Sequence, residues 1–439
     1  KEARRGVAVP TQTSYICDSS RARCFSESSH LCRKYQVANS TSALSASWLN
    51  GADFARLPRL CEGPGPRVYH ACPSLRKTPK LVYVLESLYG LNFLDLMVRQ
   101  GAIDNLPKTP FIMGFECSGE VEAVGEGVTD FKVGDRVAAF AEYKAWAELV
   151  TVPAKHAYVL PSSMTFDDAA AVLMNYVVAY SLLFDIGNLR EKQTVLVHSV
   201  GGGVGHAVAQ LCKTVPEVTL IGTASKSKHD ALTNLVTHLL DHSSDYAQEV
   251  TKISPDGVDL VLDCLCGEDC KKGYGLLKPL GRYILYGTSC IVAGETKSFF
   301  SFAKSWWQVD KVSPIKLYDE SKVIAGFNLR HLLYQQGMHD YVKGVVAKVF
   351  DLFEKKKIQP VVDSSWAFED VAEAMQKMHD HKNIGKLTLN PSLEPKPKPQ
   401  PEKSKGKDKD GKATVPSGES TDTEKDAKEE QSPPASGCR

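Results

Sequence analysis

A glycine-rich segment between an apolar run and an amphipathic stretch constrains the fold most. Residues 198–205 have the sequence His-Ser-Val-Gly-Gly-Gly-Val-Gly. The preceding run, 194–199, predicts a buried strand, and the apolar spacing over 203–214 predicts a helix. Gly202 and Gly205 stand at the second and third glycine positions of a G-x-G-x-x-G turn. Strand, turn and helix in this order favour a dinucleotide-binding βαβ unit.

The turn predicts where a dinucleotide would bind. Gly202, Gly203, Val204 and Gly205 begin the helix, whose free N–H groups and positive dipole end suit a pyrophosphate. Val200 replaces the first glycine of the motif. A plain tight turn in an α/β sheet is therefore the alternative interpretation.

Further apolar runs alternate with helical segments. Residues 218–223, 258–263 and 282–287 each have the length and composition of a buried strand. Strands that alternate with helices form parallel sheets through right-handed crossovers. The sequence thus predicts an α/β fold with a doubly wound parallel sheet.

The end of the second strand usually selects the cofactor. An acidic residue there holds the ribose 2′-hydroxyl of NAD, but residues 222–228 are Gly-Thr-Ala-Ser-Lys-Ser-Lys. Ser225, Lys226 and Lys228 offer donors that suit a 2′-phosphate. We therefore expect NADPH rather than NADH, with a solvated lysine loop as the alternative.

Composition and charge exclude several classes. The 53 basic and 52 acidic residues give a net charge of +1, which argues against a nucleic-acid partner. The longest apolar stretch, 169–184, is short for a membrane span and contains Asn175, so we expect a buried core helix. With 12 cysteines in 439 residues, the chain is not a disulfide-dense scaffold.

Both ends of the chain differ from its middle. Residues 1–88 show little apolar periodicity, and we expect a segment that is either disordered or not native. Residues 391–439 are Lys- and Pro-rich and then acidic, which predicts a disordered tail. A solvated tail and an arm that binds a partner or lipid remain alternatives for it.

Several motifs together resemble the zinc-free quinone oxidoreductases of the medium-chain dehydrogenase/reductase superfamily. The resemblance is to the branch of vesicle amine transport protein homologue-like proteins, and it extends from Gly90 to about Leu389. The motifs are the glycine turn and residues 90–101, 114–119, 133–137 and 298–307.

The resemblance implies two domains with a cleft between them. A GroES-like partial β-barrel for substrate would comprise residues 89–165 and 329–390, and a Rossmann domain for NADPH would comprise 166–328. Family dimers pair edge strands, and residues 322–328 resemble such a strand. The resemblance therefore also implies a homodimer.

The resemblance also makes a metal-free site the expectation. Zinc-dependent relatives have a histidine in a Gly-His-Glu triplet, whereas this chain has Phe115 between Gly114 and Glu116. Cys264, Cys266 and Cys270 lie close together, but their uneven spacing favours buried thiols over a zinc site.

Hydride transfer to a quinone or an α,β-unsaturated carbonyl needs no Lewis acid, because such acceptors are already electron-poor. Asn92 resembles a family residue that donates to the developing oxyanion, and Asp95 would orient a neighbour or the ribose. Helix capping is the alternative for both residues. Tyr143 is a candidate proton donor, with a surface tyrosine as the alternative.

The resemblance adds further cofactor contacts, each with a purely structural role as its alternative: His242, Gly287, Phe327, Asn383 and Lys386. Val178 departs from the family, since close relatives often have a threonine there beside the nicotinamide.

The sequence thus predicts a zinc-independent, NADPH-dependent reductase of quinones or enones. The expected location is cytoplasmic, with peripheral association with vesicle or organelle membranes. The alternative function is a membrane-associated binding or scaffold protein that keeps a nucleotide site with little or no catalysis.

Overall fold

The computed structural model describes residues 80–292 and 313–397. The atypical N-terminal segment up to residue 79 and the predicted tail beyond residue 397 lie outside the described residues. So does the family motif at 298–307. The elements described below belong to one unit that ends at Lys396.

A parallel sheet of six strands carries the glycine turn. Its strand order is β8-β7-β6-β9-β10-β11, and every neighbouring pair is parallel. This corresponds to the order 3-2-1-4-5-6 of a doubly wound dinucleotide-binding sheet. The strands are β6 (Thr194–Val197), β7 (Thr219–Ala224), β8 (His238–Asp241), β9 (Val258–Asp263), β10 (Leu277–Leu285) and β11 (Val323–Gly326).

Helices cover both faces of this sheet, as a parallel sheet with buried strands requires. One face packs against α2, α3 and α8, and the other against α5 and α6. The helices are α2 (Phe166–Tyr180), α3 (Gly203–Cys212), α4 (His229–Leu232), α5 (Tyr246–Ile253), α6 (Glu268–Gly275), α7 (Pro314–Glu320) and α8 (His339–Glu354).

A second, mostly antiparallel sheet of seven strands forms the other half of the unit. Its path is β12-β13-β1-β2-β3-β5, and β4 also pairs with β1. The strands are β1 (Leu81–Leu91), β2 (Glu116–Val124), β3 (Arg136–Phe140), β4 (Leu149–Pro153), β5 (Ala157–Val159), β12 (Val362–Ala367) and β13 (Lys386–Asn390). The short helices α1 (Phe93–Arg99) and α9 (Val371–His379) pack beside it.

Some of the predicted domain boundaries differ from the places where the chain passes from one sheet to the other. The boundary at 88/89 falls inside β1, which starts at Leu81 and pairs with β2, β4 and β13. The boundary at 165/166 coincides with the start of α2. Helix α8 packs in the core of the parallel sheet through residues such as Val342, Val346 and Val349, so the chain rejoins the mixed sheet only at β12.

The apolar stretch at 169–184 lies inside α2 and its continuation. One helical segment among the described residues, 166–186, is long and apolar enough to cross a membrane, but 72% of its most apolar window is buried in the protein. A capping box between Thr165 and Asp168 starts this helix. The burial supports the expectation of a core helix.

Candidate active site in the cleft beside the glycine turn

A cleft of about 790 Å³ lies at the carboxyl ends of the parallel strands. Ligands of doubly wound sheets bind there, where the strand order reverses, in this fold between β6 and β9. The cleft is lined by the glycine turn, by the start of α1, by α2, by the segments after β10 and β11, and by the start of β13. Its volume lies in the range of small-molecule and cofactor sites.

The glycine turn has the geometry that its sequence predicts. Gly202 is the N-cap of α3, and a Cβ at Gly205 would overlap the carbonyl oxygen of Ser199 and the Cα of Val200. Gly205 is therefore needed for close packing of helix against strand. A Cβ at Gly202 would meet only the Ser199 oxygen, at 3.2 Å, among residues beyond its chain neighbours. Gly202, Gly203, Val204 and Gly205 all line the cleft.

Strand β13 is attached to this turn. The Gly385 N–H donates to the Gly201 carbonyl at 2.9 Å, and Gly202 and Gly385 form an isolated parallel bridge. Asn383 and Lys386, which flank Gly385 on either side, therefore line the cleft next to the turn. This pairing brings the far C-terminal motif to the predicted phosphate site.

A buried group of polar side chains lies where the two sheets meet. Lys386 forms an ion pair with Glu116 and donates to Asn92 Oδ1 at 2.6 Å. Asn92 Nδ2 donates to Glu116 Oε1 at 2.8 Å, and Glu116 Oε2 accepts from the N–H of Met174 at 2.9 Å. Both charged side chains are at least 97% buried. Pairing and hydrogen bonding offset the cost of removing these charges from water.

Asp95 completes this group from the first turn of α1. Its Oδ2 accepts from the backbone N–H of Asn92 at 2.8 Å, so the capping role that was the alternative for this pair is present. Burial raises the pKa of Asp95 to about 7, against the lowering effects of the Asn92 bond and of Lys386. Asp95 is not among the residues lining the cleft, whereas Asn92 is.

The predicted cofactor contacts Ser225, Lys226, Lys228 and His242 do not line the cleft. Ser225 and Lys228 are half-buried, and Lys226 and His242 are exposed. Lys228 Nζ donates to the carbonyl of the cleft residue Asn383 at 2.7 Å.

Electrostatics link these residues to a further histidine. His381 lines the cleft, and its pKa is lowered by burial and then by the positive charge of Lys228, with His242 also contributing. Lys228 and His381 therefore both lie close to the part of the cleft that Asn383 lines.

Much of the cleft wall is apolar. Gly287, Phe327 and Val178 are part of this wall. Aromatic and aliphatic side chains continue the wall: Phe93, Leu94, Met97, Ile103, Phe115, Phe140, Met174, Leu329 and Leu332. Such a surface suits a flat, electron-poor organic ring or a conjugated chain.

Tyr143 lies behind this wall. It is 93% buried between Phe111 and Phe115, so it is not the surface tyrosine that was its alternative. Its hydroxyl accepts from Arg330 Nη2 at 3.3 Å, and burial raises its pKa. Tyr143 does not itself line the cleft, but Arg330 does.

Sequence reasoning missed two charged residues of the site. Glu116 accepts from Asn92, Lys386 and Met174, although the sequence drew attention only to its neighbour Phe115. Arg330 forms ion pairs with Asp104, at 2.8 Å, and with Glu142, at 3.3 Å. An acidic residue at the start of a buried strand is the sequence signal that could have identified Glu116. The partners of Arg330 are about 190 to 230 residues away in sequence, so no local pattern pointed to Arg330.

Comparison with known proteins agrees with this architecture. The alcohol dehydrogenase GroES-like domain family matches residues 78–162, and the zinc-binding dehydrogenase family matches 236–389. The mouse synaptic vesicle membrane protein VAT-1 homolog-like is 62% identical over 306 residues, which are 70% of this chain and 73% of the relative. The chain belongs to the VAT-1 homolog-like family. That family lies in the medium-chain dehydrogenase/reductase superfamily, so the expected GroES-like and Rossmann fold is confirmed.

Solved structures support the same membership. The crystal structure of the human VAT-1 homolog-like protein has a TM-score of 0.64 and 52% identity, covering 73% of this chain and 92% of its own. A Pseudomonas syringae quinone oxidoreductase and a mycobacterial protein complexed with NADPH each have a TM-score of 0.62 and 26% identity. They cover 72% of this chain and 92% and 93% of their own.

The match to the zinc-binding dehydrogenase family raises the question of whether residues of this chain could hold zinc. Phe115 is 99% buried against Tyr143 and Val98 and offers no ligand atom, and Glu116 is committed to Lys386. Residues 80–292 and 313–397 contain no group of three or more His, Cys, Asp or Glu side chains placed to hold a metal ion. The described residues therefore do not fit a zinc site of the dehydrogenase type.

Proposed function

We propose that this protein is a zinc-independent reductase that uses NADPH to reduce a quinone or an α,β-unsaturated carbonyl. The observation that carries the proposal is the cleft, which is lined both by the glycine turn and by an apolar, aromatic wall. The solved quinone oxidoreductase and the NADPH complex that share the fold support this choice.

The chain's residues fit NADPH in three places. The first N–H groups of α3 have no partner within the helix and would donate hydrogen bonds to a pyrophosphate near Gly202, with Lys386 and Asn383 among the nearby cleft residues. Ser225, Lys226, Lys228 and His242 would surround a 2′-phosphate. Gly287 and Phe327 would border the nicotinamide, whose bound form supplies the hydride.

The protein's part in the reaction is to orient and to exclude water. The aromatic wall would hold the acceptor flat, which brings reacting atoms together in a dry site. Asn92 already uses both amide hydrogens, one to Glu116 at 2.8 Å and one to the Gly90 carbonyl at 3.4 Å. Donation to a substrate oxyanion therefore requires one of these bonds to open, and that role stays a prediction.

Proton delivery also stays a prediction. Tyr143 is separated from the cleft by Arg330, with which it shares a hydrogen bond. A proton from Tyr143 would have to reach the substrate past this guanidinium.

Titration of the purified chain with NADPH and NADH tests the cofactor, and Gly202→Asp provides the decisive variant. Its carboxylate would project toward the pyrophosphate without a core overlap. We expect NADPH affinity to fall at least about 100-fold, through lost contacts and charge repulsion. Gly344→Asp is the control, because a Cβ at Gly344 meets no atom within 4 Å. Unchanged NADPH affinity in Gly202→Asp would contradict the proposed site.

Steady-state reduction of a short-chain quinone and of an enone tests the reaction. NADPH binding without turnover of either acceptor would remove the catalytic proposal and leave the alternative, a binding or scaffold protein with a retained nucleotide site. Val178 favours this alternative, because close relatives often have a threonine there beside the nicotinamide and a valine cannot donate the same hydrogen bond.

We also propose a homodimer and a peripheral, cytoplasmic position on vesicle membranes. The dimer rests on β11, an edge strand of the described parallel sheet with exposed Val323 and Ile324. The vesicle association rests on the name of the mouse relative.

A further inference from the structure

Three cysteines come together on the wall behind the cleft. Cys266 and Cys270 have sulfur atoms 3.8 Å apart, at the loop that follows β9 and in the first turn of α6. Cys290, which follows β10, is held over this loop because its N–H donates to the Leu265 carbonyl at 3.1 Å. Their neighbours Cys264 and Ser289 line the cleft.

The two thiols differ in accessibility and in acidity. Cys266 is 93% buried, whereas Cys270 is half-buried. The interaction between the Cys266 and Cys270 sulfur atoms is the main reason that the pKa of Cys270 lies below its ordinary value, and this outweighs burial and the nearby Asp263. The same interaction raises the pKa of Cys266.

The backbone holds the pair close together. Cys266 has φ of 68° and Gly267 has φ of 69°, so two successive residues adopt the left-handed region before α6 starts. This turn returns the Cys266 side chain toward Cys270, four residues later. Closing the gap from 3.8 Å to a bond of about 2.05 Å requires only a small movement of the side chains.

We propose that Cys266 and Cys270 form a reversible disulfide on reaction with a hydroperoxide. The Cys270 thiolate attacks the terminal peroxide oxygen, so the O–O bond breaks, a sulfenic acid forms and the alkoxide or hydroxide leaves with the electron pair. The Cys266 sulfur then attacks the Cys270 sulfur, and the sulfenic hydroxyl leaves as water with the proton of the Cys266 thiol. The peroxide gains two electrons, and the two sulfurs together lose them.

Hydrogen peroxide treatment of the full chain, followed by tryptic mass spectrometry, tests this proposal. Residues 253–271 form one tryptic peptide that holds Cys264, Cys266 and Cys270, and a disulfide within it lowers its mass by two hydrogens. We expect this loss in the wild type and its reversal by dithiothreitol. Cys270 should oxidise at least about tenfold faster than the buried Cys117 and Cys212.

Single variants identify the pair. Cys264→Ser and Cys290→Ser should keep the disulfide, and Cys270→Ser should abolish it. Cys266→Ser should leave a sulfenic acid on Cys270 that dimedone captures, which a merely buried thiol would not form. A disulfide that survives in Cys270→Ser, a bond from Cys270 to Cys290, or oxidation of Cys270 at the rate of Cys117 would each overturn the proposal.

Discussion

At the scale of single residues, buried charge distinguishes this site. Lys386 and Glu116 are withdrawn from water and satisfied by each other, by Asn92 and by the backbone of Met174. A polar cluster of this kind holds its members in one arrangement, because breaking any bond leaves a buried group unpaired. It thereby fixes the side chain of Lys386, whose chain neighbour Gly385 is bonded to the glycine turn.

Asp95 gives the site a pH dependence. Its pKa rises to about 7 in the folded protein, whereas an unfolded aspartate titrates near 4. Between these values the folded state holds the proton more tightly, so this carboxyl makes the protein more stable as pH falls from 7 toward 4. We expect the free energy of unfolding of the wild type, relative to Asp95→Asn, to fall by about 2.5 kcal/mol from pH 5 to pH 8.

Urea unfolding of both proteins at pH 5 and pH 8 measures this difference. Groups common to both proteins cancel in the comparison. Parallel changes of stability in wild type and Asp95→Asn would show that Asp95 does not titrate in this range.

At the scale of elements, the strand–turn–helix unit of β6 and α3 depends on close backbone packing. A Cβ at Gly205 would meet the Ser199 oxygen and, at 2.7 Å, the Val200 Cα, and both are backbone atoms that cannot rotate away. The turn is further joined to β13 through Gly201 and Gly385. Damage to one glycine therefore displaces both the helix N-terminus and the strand that carries Lys386.

Alanine substitution at two helical glycines distinguishes the cost of overpacking at Gly205 from the gain in helix propensity that alanine otherwise brings. We expect Gly205→Ala to lower the free energy of unfolding by about 2–3 kcal/mol, in the range of overpacked cores. Gly344→Ala, in the open middle of α8, should instead raise it by about 0.5–1 kcal/mol. Thermal or urea unfolding compares the two, and equal effects would contradict the close approach.

At the scale of the whole molecule, the unit joins two sheets across one cleft and has edge strands at its sides. Arg330, after β11, contacts Asp104 and Glu142 of the other half, and Gly385, just before β13, bonds to Gly201 of the glycine turn. Strands β11 and β5 end their sheets in the described part of the chain. Exposed edges are places where another chain can pair.

Lysine substitution at the two edges tests the proposed dimer. Ile324→Lys on β11 should convert a dimer to monomer in sedimentation equilibrium, because a charge would be buried at the interface. Val159→Lys on β5 is the matched control, since that valine is also an exposed edge residue. A dimer that persists in Ile324→Lys, or dissociates equally in Val159→Lys, would exclude β11 as the interface.

The sequence by itself determined the local elements. Apolar runs of strand length and the glycine spacing predicted β6, β7, β9 and the start of α3, because burial on both faces and close packing leave a pattern in neighbouring residues. The same pattern predicted the glycine turn as part of a cleft, whereas Gly287, Phe327, Asn383 and Lys386 came from family resemblance and were found lining it.

Only the tertiary structure decided which distant groups meet. Glu116 and Lys386 are 270 residues apart, and Asp104 and Arg330 are 226 apart. The sequence does not show such pairs, because contacts between distant strands, and between the two halves of the unit, depend on crossovers and register rather than on local pattern. The structure also separated Asn92, which lines the cleft, from Asp95 and Tyr143, which are buried behind it.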